Sequence, residues 1–262
     1  MKAIILSAGQ GRRLLPLTED LPKCLLEVAP GTTILAWQLE QLAQAGIREA
    51  VVVTGYRSDL VDREVQAYRH LLEARTLFNP EFDRVDNLGS AWCARDEMSK
   101  DFIILNGDML FTASVAAELC AAEPADVRVT VSQKAEYDED DMKVILQFGR
   151  LTAVGKHLAG DGVNGESIGM ILFRGQGPVL FREAAGQAVA DPEASRHRNY
   201  LAVINDLARS RPLEVLMIDQ SAWCEVDFPE DLETAQRCLS RWRPHVKGAV
   251  VSATPEPRLA GS

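Results

Sequence analysis

Several features that identify large classes of protein are missing from this sequence. Its five cysteines are odd in number and form no CxxC pair, so neither a disulfide framework nor a zinc site is predicted, and a reducing compartment is favoured. No apolar run approaches the roughly 18 residues of a membrane-spanning helix, and the run Ile4–Leu6 is too short for a signal peptide. We therefore expect a cytoplasmic protein with no membrane span.

A strongly basic surface is also not expected. Asp and Glu number 38 against 28 Lys and Arg, which gives a formal net charge of −10. Nucleic-acid partners usually require a basic face, so we expect none. The charge does not exclude a small anionic ligand, because a few well-placed cations dominate the potential inside one pocket.

Strand and helix patterns alternate through the first half of the chain. Short apolar runs indicate buried strands, and Leu35, Leu39 and Leu42 are spaced as on one face of a helix. Such alternation predicts an α/β fold with a parallel sheet that helices cover on both faces. The predicted strands are Lys2–Leu6, Ala50–Thr54, Thr76–Phe78 and Phe102–Leu105, and the predicted helices are Ile34–Ala45 and Ser90–Met98.

From about Asp126 onward, strand patterns follow one another closely with turns between them. This spacing predicts antiparallel or mixed strands in a second lobe laid over the first. We predict one domain over residues 1–242, with halves at 1–125 and 126–242, and a flexible tail at 243–262 where no periodicity remains. The later predicted elements are a helix over Ser195–Ser210, a strand over Leu213–Ile218 and a closing helix over Glu230–Trp242.

The loop after the first strand carries two glycines and several cations. Gly9 and Gly11 have no Cβ, so their backbone N–H groups can approach a phosphate closely. The pattern is neither Walker A, since no Gly-Lys-Ser/Thr follows, nor G-x-G-x-x-G, since position 14 is leucine. On the glycines alone, a tight strand-to-helix turn is an equal alternative. Arg12, Arg13 and Lys23 add the positive charge that a phosphate site needs.

The stretch LSAGQGRRLLPLTEDLPK resembles the signature of the nucleotidyltransferases that join a nucleotide to a phosphorylated sugar or alcohol. Its usual form is an apolar strand, then A-A-G-x-G-x-R-L-x-P-L-T, a short gap and P-K. Ser7 stands here where a small Ala is usual, and Leu15 where many members have Arg, which leaves Arg13 as the guanidinium. The resemblance implies a Rossmann-like, GT-A-like α/β fold whose mixed, mostly parallel sheet is flanked by helices, with a smaller β-rich acceptor lobe.

The same resemblance assigns roles to residues of the loop. It implies that Arg13 and Lys23 are catalytic and steady the triphosphate and the leaving pyrophosphate. It implies a nucleotide-binding half at residues 1–125 and an acceptor-binding half at 126–242. Four further residues of the first half are expected against the nucleotide: Leu6, Ala8, Gly9 and Gly11.

Two aspartates at predicted strand ends resemble the metal-binding pair of this family. Asp108 ends the run FIILNGD, and Asp227 precedes the closing helix in WCEVDFPEDLE. Nucleotidyl transfer brings two anions together, so Mg²⁺ held by one or two carboxylates is the implied cofactor. The alternatives are an Asx-turn at Asp108 and a helix N-cap at Asp227. Glu225 is a candidate to support or replace Asp227.

The stretch DNLGSAW carries a narrower resemblance. Asn87, Gly89 and Ser90 stand before a predicted helix, similar to the N-N-x-x-S pattern of the phosphocholine cytidylyltransferase-like branch, with Asp86 in place of the first Asn. This predicts that Asn87 and Ser90 bind the nucleotide and that the nucleotide is CTP. The alternative is a plain N-cap at Ser90, and both can hold at once.

Three segments of the second half, EDDMKVIL, VGKHL and GESIGMILF, look like segments of the choline-phosphate and inositol-phosphate cytidylyltransferases. They imply that Lys143 and Lys156 clamp the acceptor phosphate and that Glu166 accepts hydrogen bonds from a hydroxyl or amine. A solvated surface charge is the alternative for each residue. An aromatic cage usually holds the choline ammonium, and the few aromatic residues of this half fit a general phospho-alcohol better.

The combined expectation is a Mg²⁺-dependent enzyme that transfers CMP from CTP to a phosphorylated small alcohol, such as phosphocholine, and releases pyrophosphate. The acceptor phosphate is itself the nucleophile and is ionised at neutral pH, so no general base is needed. Inositol phosphate, a sugar 1-phosphate and an aminoalkylphosphonate stay open as acceptors. The alternative functions are a sugar-1-phosphate uridylyl- or guanylyltransferase and a non-catalytic nucleotide-sugar sensor. A homodimer is left open.

Overall fold

The first half of the chain alternates strands and helices, as the sequence predicts. The structure, a computed structural model, describes residues 1–160 and 162–243. Runs rich in Val, Ile and Leu form the buried strands, because branched side chains fit the pleated surface well. In chain order the elements are β1 (Lys2–Ser7), β2 (Glu27–Ala29), β3 (Thr32–Thr33), α1 (Ile34–Gln44), β4 (Glu49–Thr54), α2 (Ser58–Ala67), β5 (Glu73–Phe78), α3 (Asn87–Cys93), β6 (Phe102–Asn106), β7 (Met109–Phe111) and α4 (Ala113–Ala121).

The second half begins with closely spaced strands and ends with helices. Among the helices of the described ranges, none combines the length and the apolar character needed to cross a membrane. The elements are β8 (Val127–Ser132), β9 (Lys143–Gln147), β10 (Arg150–Val154), β11 (Gly165–Phe173), α5 (Gly177–Val189), α6 (Pro192–Ser195), α7 (Tyr200–Ser210), β12 (Leu213–Ile218), β13 (Trp223–Glu225) and α8 (Asp231–Trp242).

Nine of these strands form one mixed sheet in the order β5-β4-β1-β6-β11-β8-β12-β10-β9. The strands β5, β4, β1 and β6 are parallel. The strand β11 runs antiparallel to both β6 and β8, whereas β12 is parallel to β8. The strand β10 is antiparallel to β12 and to β9, so all members of this sheet except β11 and β10 share one direction.

This sheet corrects the prediction that the second half lies over the first as another layer. The strands β8 and β12 instead extend the sheet of the first half, with β11 between them and β6. Every residue of β11 is buried, which explains the arrangement. A strand that is apolar on both faces is stable inside a sheet covered on both sides, not at the surface of an added lobe.

Helices pack on both faces of the sheet, and alternate side chains of β1 pack against the helices of opposite faces. Ile5 belongs to the cluster that includes Leu35 of α1, and Ile4 belongs to the cluster that includes Leu88 of α3 and Phe181 of α5. This division follows from the two-residue period of a strand. Each such buried side chain contributes about 1.5–3 kcal/mol to stability.

Capping residues move two helix boundaries from their predicted positions. The helix α3 begins before Ser90, because the Asp86 side chain caps it by accepting from the Asn87 N–H. The helix predicted over Ser195–Ser210 is divided, and α7 begins at Tyr200 because Asn199 Oδ1 accepts from the Ala202 N–H at 2.8 Å. Side-chain caps satisfy the free N–H groups of a first turn, and so fix where a helix starts.

The predicted tail begins at residue 243, and residues 244–262 lie outside the described residues. Arg243 itself contacts the body of the protein. Its guanidinium donates to Thr32 Oγ1 at 2.8 Å and lies 5.4 Å from the centroid of the Trp37 ring. The first residue of the predicted tail is therefore packed, not free.

The register of β1 brings the loop that follows β1 beside the loop that follows β6. Leu6 pairs with Val53 of β4 and with Asn106 of β6, so the carboxyl ends of three parallel strands meet at one edge of the sheet. A small two-stranded sheet returns the chain to the same edge, since β13 pairs with β7 and Glu225 lies opposite Met109.

Candidate active site

Gly11 occupies a position that glycine alone fits without strain. Its φ of 80° lies in the left-handed region, and a Cβ there would lie 2.8 Å from the Cβ of Lys23. The Thr18 hydroxyl donates to the Gly11 carbonyl at 2.8 Å, and the Gln10 side chain donates to the Thr18 carbonyl at 3.2 Å. The loop is thus held against the aliphatic stem of Lys23.

Gly107 provides a second close approach of backbone to backbone. Its N–H donates to the Leu6 carbonyl at 2.9 Å, and any Cβ at Gly107 would collide with the Ser7 hydroxyl. The backbone after β6 can therefore lie in direct contact with the carboxyl end of β1. Asp108 follows directly, so its carboxylate stands beside the glycine loop.

The ammonium of Lys23 lies between two carboxylates. Its Nζ donates to Asp108 Oδ2 at 2.8 Å and to Asp227 Oδ1 at 2.6 Å. Burial lowers the pKa of Lys23, but the charges of Asp108 and Asp227 outweigh burial, so the net shift of that pKa is upward. The lysine is therefore charged at neutral pH and holds the two aspartates together.

Backbone hydrogen bonds place Asp227 beside Asp108. The Val226 N–H donates to the Asp108 carbonyl at 3.1 Å. The side chain of Asp231, and not that of Asp227, accepts the local backbone hydrogens, including the Asp227 N–H at 2.8 Å. The N-cap alternative for Asp227 is thus wrong. Asp108 makes no Asx-turn either: its Oδ2 accepts from Lys23 and its buried Oδ1 has no partner within the described ranges.

The Arg13 guanidinium points into the same site. Its terminal nitrogens lie 3.0 Å from Asp227 Oδ2 and 3.2 Å from Asp140 Oδ2. The guanidinium also lies 5.0 Å from the centroid of the Phe228 ring, a cation–π distance. Arg12 is exposed and does not line the cavity at this site, so Arg13 supplies the guanidinium there.

A cavity of about 260 Å³ lies at this edge of the sheet, with Cys24, Phe82 and Val85 in its walls. The structure brings together around it every residue that the sequence predicts for catalysis, for nucleotide binding or for metal. They are Leu6, Ala8, Gly9, Gly11, Arg13, Lys23, Asn87, Ser90, Asp108 and Asp227. We call this space the nucleotide cavity.

Asn87 and Ser90 line the nucleotide cavity from α3, and each already uses one polar atom inside the protein. Asn87 Oδ1 accepts from the Tyr200 N–H at 2.9 Å, and Ser90 Oγ accepts from Asn79 Nδ2 at 3.2 Å. Since Asp86 caps α3, the alternative of Ser90 as N-cap is wrong. The donor groups of both side chains are left for a ligand.

A second cavity, of about 330 Å³, adjoins the first and shares Arg13, Asp108 and Asp227 with it. It is also lined by Lys156 and Glu166, two of the three residues predicted for the acceptor. We call this space the acceptor cavity. The two cavities therefore meet at the three side chains that they share.

Lys143 is the predicted acceptor residue that the structure does not bring to either cavity. Its side chain is buried, with 8% of the residue exposed. Its ammonium donates to the Lys156 carbonyl at 2.9 Å and to the Glu139 carbonyl at 3.4 Å. Lys143 therefore supports the backbone beneath Lys156, and a solvated surface charge is excluded for it.

Asp140 is a site residue that the sequence analysis missed. Its carboxylate lies 3.2 Å from the Arg13 guanidinium and 2.9 Å from Lys156 Nζ, and so links two cations of the acceptor cavity. Its hydrogen bond and ion pair with Lys156, followed by the charge of Arg13, lower the pKa of Asp140. The available signal was the acidic run DEDD at residues 138–141, but its cationic partners are remote in sequence.

Two glutamates on the acceptor side have raised pKa values. Burial raises the pKa of Glu166 to about 7, although Lys134 Nζ lies 3.2 Å from its Oε2. Loss of hydration among the surrounding protein atoms, and then the charges of Asp108 and Asp227, raise the pKa of Glu225. The Glu225 side chain is nevertheless open to solvent, which moderates that shift.

The described residues contain no group of three or more His, Cys, Asp or Glu arranged around one metal position.

A glycine loop, two cations and two carboxylates at the carboxyl edge of a parallel sheet form the arrangement with which α/β proteins bind phosphorylated ligands. Residues 2–143 match the model of the family described as Nucleotidyl transferase. The match spans more than half of the chain, and the chain belongs to this family. The resemblance found in the glycine loop is thereby confirmed.

Curated relatives of this chain are nucleotidyltransferases. It is 28% identical over 259 residues to CTP:phosphoglutamine cytidylyltransferase of Campylobacter jejuni, with 89% of this chain and 98% of the relative covered. It is 27% identical over 254 residues to a UTP–glucose-1-phosphate uridylyltransferase of Haloferax volcanii, with 91% and 96% covered. It is 32% identical over a shorter match of 111 residues to choline-phosphate cytidylyltransferase of Streptococcus pneumoniae, with 42% of this chain and 46% of the relative covered.

Two solved structures share the fold. The CTP:phosphocholine cytidylyltransferase from Streptococcus pneumoniae matches with a TM-score of 0.73 at 18% identity, over 91% of this chain and 98% of that one. The inositol-1-phosphate CTP transferase from T. maritima matches with a TM-score of 0.75 at 20% identity, over 94% and 97%. The predicted Rossmann-like nucleotidyltransferase fold is therefore confirmed.

Proposed function

We propose that this protein transfers CMP from CTP to the phosphate of a small phosphorylated alcohol and releases pyrophosphate. The observation that carries the proposal is the Lys23 ammonium, 2.8 Å from Asp108 and 2.6 Å from Asp227, beside the glycine loop. Transfer of this kind depends on positioning and on charge neutralisation more than on covalent catalysis. The CTP-dependent relatives support the choice of nucleotide.

The glycine loop and two cations are proposed to hold the triphosphate. Backbone N–H groups around Gly9 and Gly11 would bind phosphate oxygens, since no Cβ keeps the ligand away. Arg13 and Lys23, both at the wall of the nucleotide cavity, would neutralise the charge that develops on the leaving pyrophosphate. Asn87 and Ser90 would bind the nucleoside.

Asp108 and Asp227 are the proposed ligands of Mg²⁺. The buried Oδ1 of Asp108 has no hydrogen-bond partner among residues 1–160 and 162–243, which fits a cation at that oxygen. Two carboxylates are also what Mg²⁺ usually takes from a protein when phosphates and water complete its shell. When bound, the ion withdraws charge from the phosphates of the nucleotide.

The acceptor cavity is proposed to hold the phosphorylated alcohol. Lys156 would pair with its phosphate, and the buried Glu166 would accept a hydrogen bond from its polar head. Lys143 would act indirectly, because its ammonium fixes the Lys156 carbonyl. The acceptor phosphate is ionised at neutral pH and attacks without a general base. The cytoplasmic setting stays part of the proposal, since all five cysteines are free thiols.

A matrix of substrates tests this proposal. Pyrophosphate release would be measured with each of the four nucleoside triphosphates and Mg²⁺. The acceptors would be phosphocholine, inositol 1-phosphate, glucose 1-phosphate and an aminoalkylphosphonate. We expect the highest kcat/KM with CTP and an acceptor that is not a sugar phosphate. A maximum with UTP and glucose 1-phosphate would favour the uridylyltransferase alternative, which the Haloferax volcanii relative motivates. Absence of release with every pair would overturn the proposal.

A further inference from the structure

A buried asparagine, Asn79, lies behind the nucleotide cavity and forms a hydrogen bond to Ser90 in the cavity wall. Asn79, which follows β5, is 2% exposed, and Ser90 is 5% exposed. We propose that Asn79 commits the Ser90 hydroxyl to donate a hydrogen bond to the nucleotide base, and so favours cytosine over uracil. This inference rests on the proposed function for the presence of a pyrimidine nucleotide in the cavity.

A backbone amide fixes the orientation of the Asn79 side chain. The Glu81 N–H is always a donor, so the Asn79 atom that lies 3.0 Å from it must be the carbonyl oxygen Oδ1. The amide Nδ2 is then the atom that faces Ser90 Oγ at 3.2 Å. The Asn79 N–H also donates to the Thr54 carbonyl at 2.8 Å, which anchors the residue to the end of β4.

The orientation of Asn79 leaves Ser90 with one free hydrogen. Because Nδ2 can only donate, Ser90 Oγ accepts from it, and the hydroxyl hydrogen needs another acceptor. No protein atom within the described ranges accepts that hydrogen, and Ser90 lines the nucleotide cavity. A ligand acceptor at this hydroxyl would pair the hydrogen, whereas a ligand donor would use only the second lone pair of Oγ and would leave the hydrogen without an acceptor.

The two pyrimidines differ at ring N3 and at the group on C4. A donor favours cytosine at N3 but uracil at the C4 group, so N3 is the atom proposed to face Ser90. Ring N3 of cytosine is an acceptor, whereas N3 of uracil carries a hydrogen. The carbonyl O2 is common to both bases and gives no selection. The N3–H of uracil would use only the remaining lone pair of Ser90 Oγ and would leave the hydroxyl hydrogen buried without an acceptor, which costs more than an equivalent bond gains.

The variant Asn79→Asp reverses this polarity with little change of shape. The ionised side chain still accepts from the Glu81 N–H, but its second oxygen can only accept, so the Ser90 hydroxyl turns toward it. Ser90 then presents only lone pairs, and no hydrogen, to the base. We expect the ratio of Kd for UTP to Kd for CTP, measured by isothermal titration with Mg²⁺ and no acceptor, to fall roughly tenfold to a hundredfold. The fall should increase with pH as the introduced carboxyl ionises.

Two further variants control this experiment. Asn205→Asp places a carboxyl at another buried asparagine, whose Oδ1 accepts from the Val154 N–H at 3.0 Å, and should leave the ratio unchanged. Ser90→Ala removes the hydroxyl within α3 and should lower the preference for CTP without a gain in UTP affinity. Ser90→Ala also keeps the test decisive if Asn79→Asp does not fold.

The outcomes distinguish this inference from the proposed function. A wild-type protein that binds none of the nucleoside triphosphates overturns the proposed function. A wild-type protein that binds UTP as tightly as CTP overturns the inference and leaves nucleotidyl transfer standing. A ratio that Ser90→Ala leaves unchanged, or that a folded Asn79→Asp leaves unchanged at every pH from 6 to 9 (roughly the range in which a buried carboxyl ionises), also overturns it.

Discussion

Lys23 Nζ lies 2.6 Å from Asp227 Oδ1, and the two residues are 204 positions apart in the chain. The same ammonium lies 2.8 Å from Asp108 Oδ2. Together with the Arg13 guanidinium, 3.0 Å from Asp227 Oδ2, this ammonium balances two carboxylates that would otherwise repel each other across a partly buried site. The lysine holds the free protein's site together, and the proposed reaction also requires its charge near the phosphates.

Replacement of Lys23 tests this double role. Lys23→Ala should lower kcat by about 10²–10³, the usual loss when one preorganised electrostatic contact is removed. Lys23→Arg should rescue little, because a planar guanidinium cannot occupy the position of a compact ammonium between two carboxylates. The measurement is pyrophosphate release with CTP, Mg²⁺ and the best acceptor, with kcat and KM determined separately.

The exposed neighbour Arg12 supplies the matched control, since it carries the same charge but does not line the cavity. Arg12→Ala should stay within about 0.5 kcal/mol of wild type in stability and should keep its rate. A Lys23→Ala enzyme within a few-fold of wild type would show that the ammonium has only a structural role.

Neutralisation of the aspartates tests the proposed metal site. Asp108→Asn and Asp227→Asn should fold but lose at least roughly a hundredfold in kcat, because an amide cannot balance a divalent cation. Binding of Mn²⁺ in the presence of CTP, followed by electron paramagnetic resonance, should weaken in parallel. Asp96→Asn, at an exposed position, is the control. Normal Mn²⁺ binding by either variant would remove that aspartate from the metal site.

Two glycines allow backbone strain to be separated from crowding. Gly11 and Gly46 have φ values of 80° and 83°, so alanine at either costs about 1–2 kcal/mol. At Gly46 a Cβ meets nothing within 4 Å, whereas at Gly11 it meets the Lys23 stem at 2.8 Å. Gly11→Ala should therefore unfold at lower urea concentration than Gly46→Ala and should also lose activity. Equal stability and full activity in both variants would show that Lys23 moves aside freely.

The buried Glu166 predicts a pH-dependent difference in stability. Its folded-state pKa is raised from 4.5 to about 7, so stability is lost as pH rises through this interval. Below it the carboxyl is protonated in both states, and above it the folded state carries a disfavoured charge. Glu166→Gln should thus gain on wild type as pH rises from 5 to 8 (roughly the interval above), by at most about 3 kcal/mol. Urea unfolding at several pH values measures this, with the exposed Glu118→Gln on α4 as control.

The resemblance of the glycine loop to the nucleotidyltransferase signature was enough to predict most of the residues that line the nucleotide cavity. The glycines, Arg13 and Lys23 lie within one short stretch of the chain, and Asp108 lies two residues after the end of β6. The helix and strand alternation likewise depends on side chains a few residues apart. The strand and helix pattern is encoded by periodicity, and the roles of the site residues follow from the resemblance, so both are visible without a structure.

What the sequence left undecided depends on long-range contacts. The pairing of Lys23 with both aspartates and of Asp140 with Arg13 and Lys156 joins residues far apart in the chain. Nothing local distinguishes the buried Lys143 from a surface lysine. The orientation of Asn79 also depends on its neighbours in space, because an isolated Asn-Pro pair predicts only a turn.

The strand β11 has a consequence for recombining this protein with its relatives. Its backbone pairs with β6 on one side and with β8 on the other. This one strand therefore connects the sheet of the first half to the strands of the second half. A chimera that takes residues 126–242 from another source inherits a β11 that must match a foreign β6, in register and in side-chain shape. A fragment ending at residue 125 leaves the edge of β6 unpaired, and unpaired edges promote aggregation. Exchange of acceptor specificity is therefore better attempted within the loops that line the acceptor cavity than by transplanting the whole half.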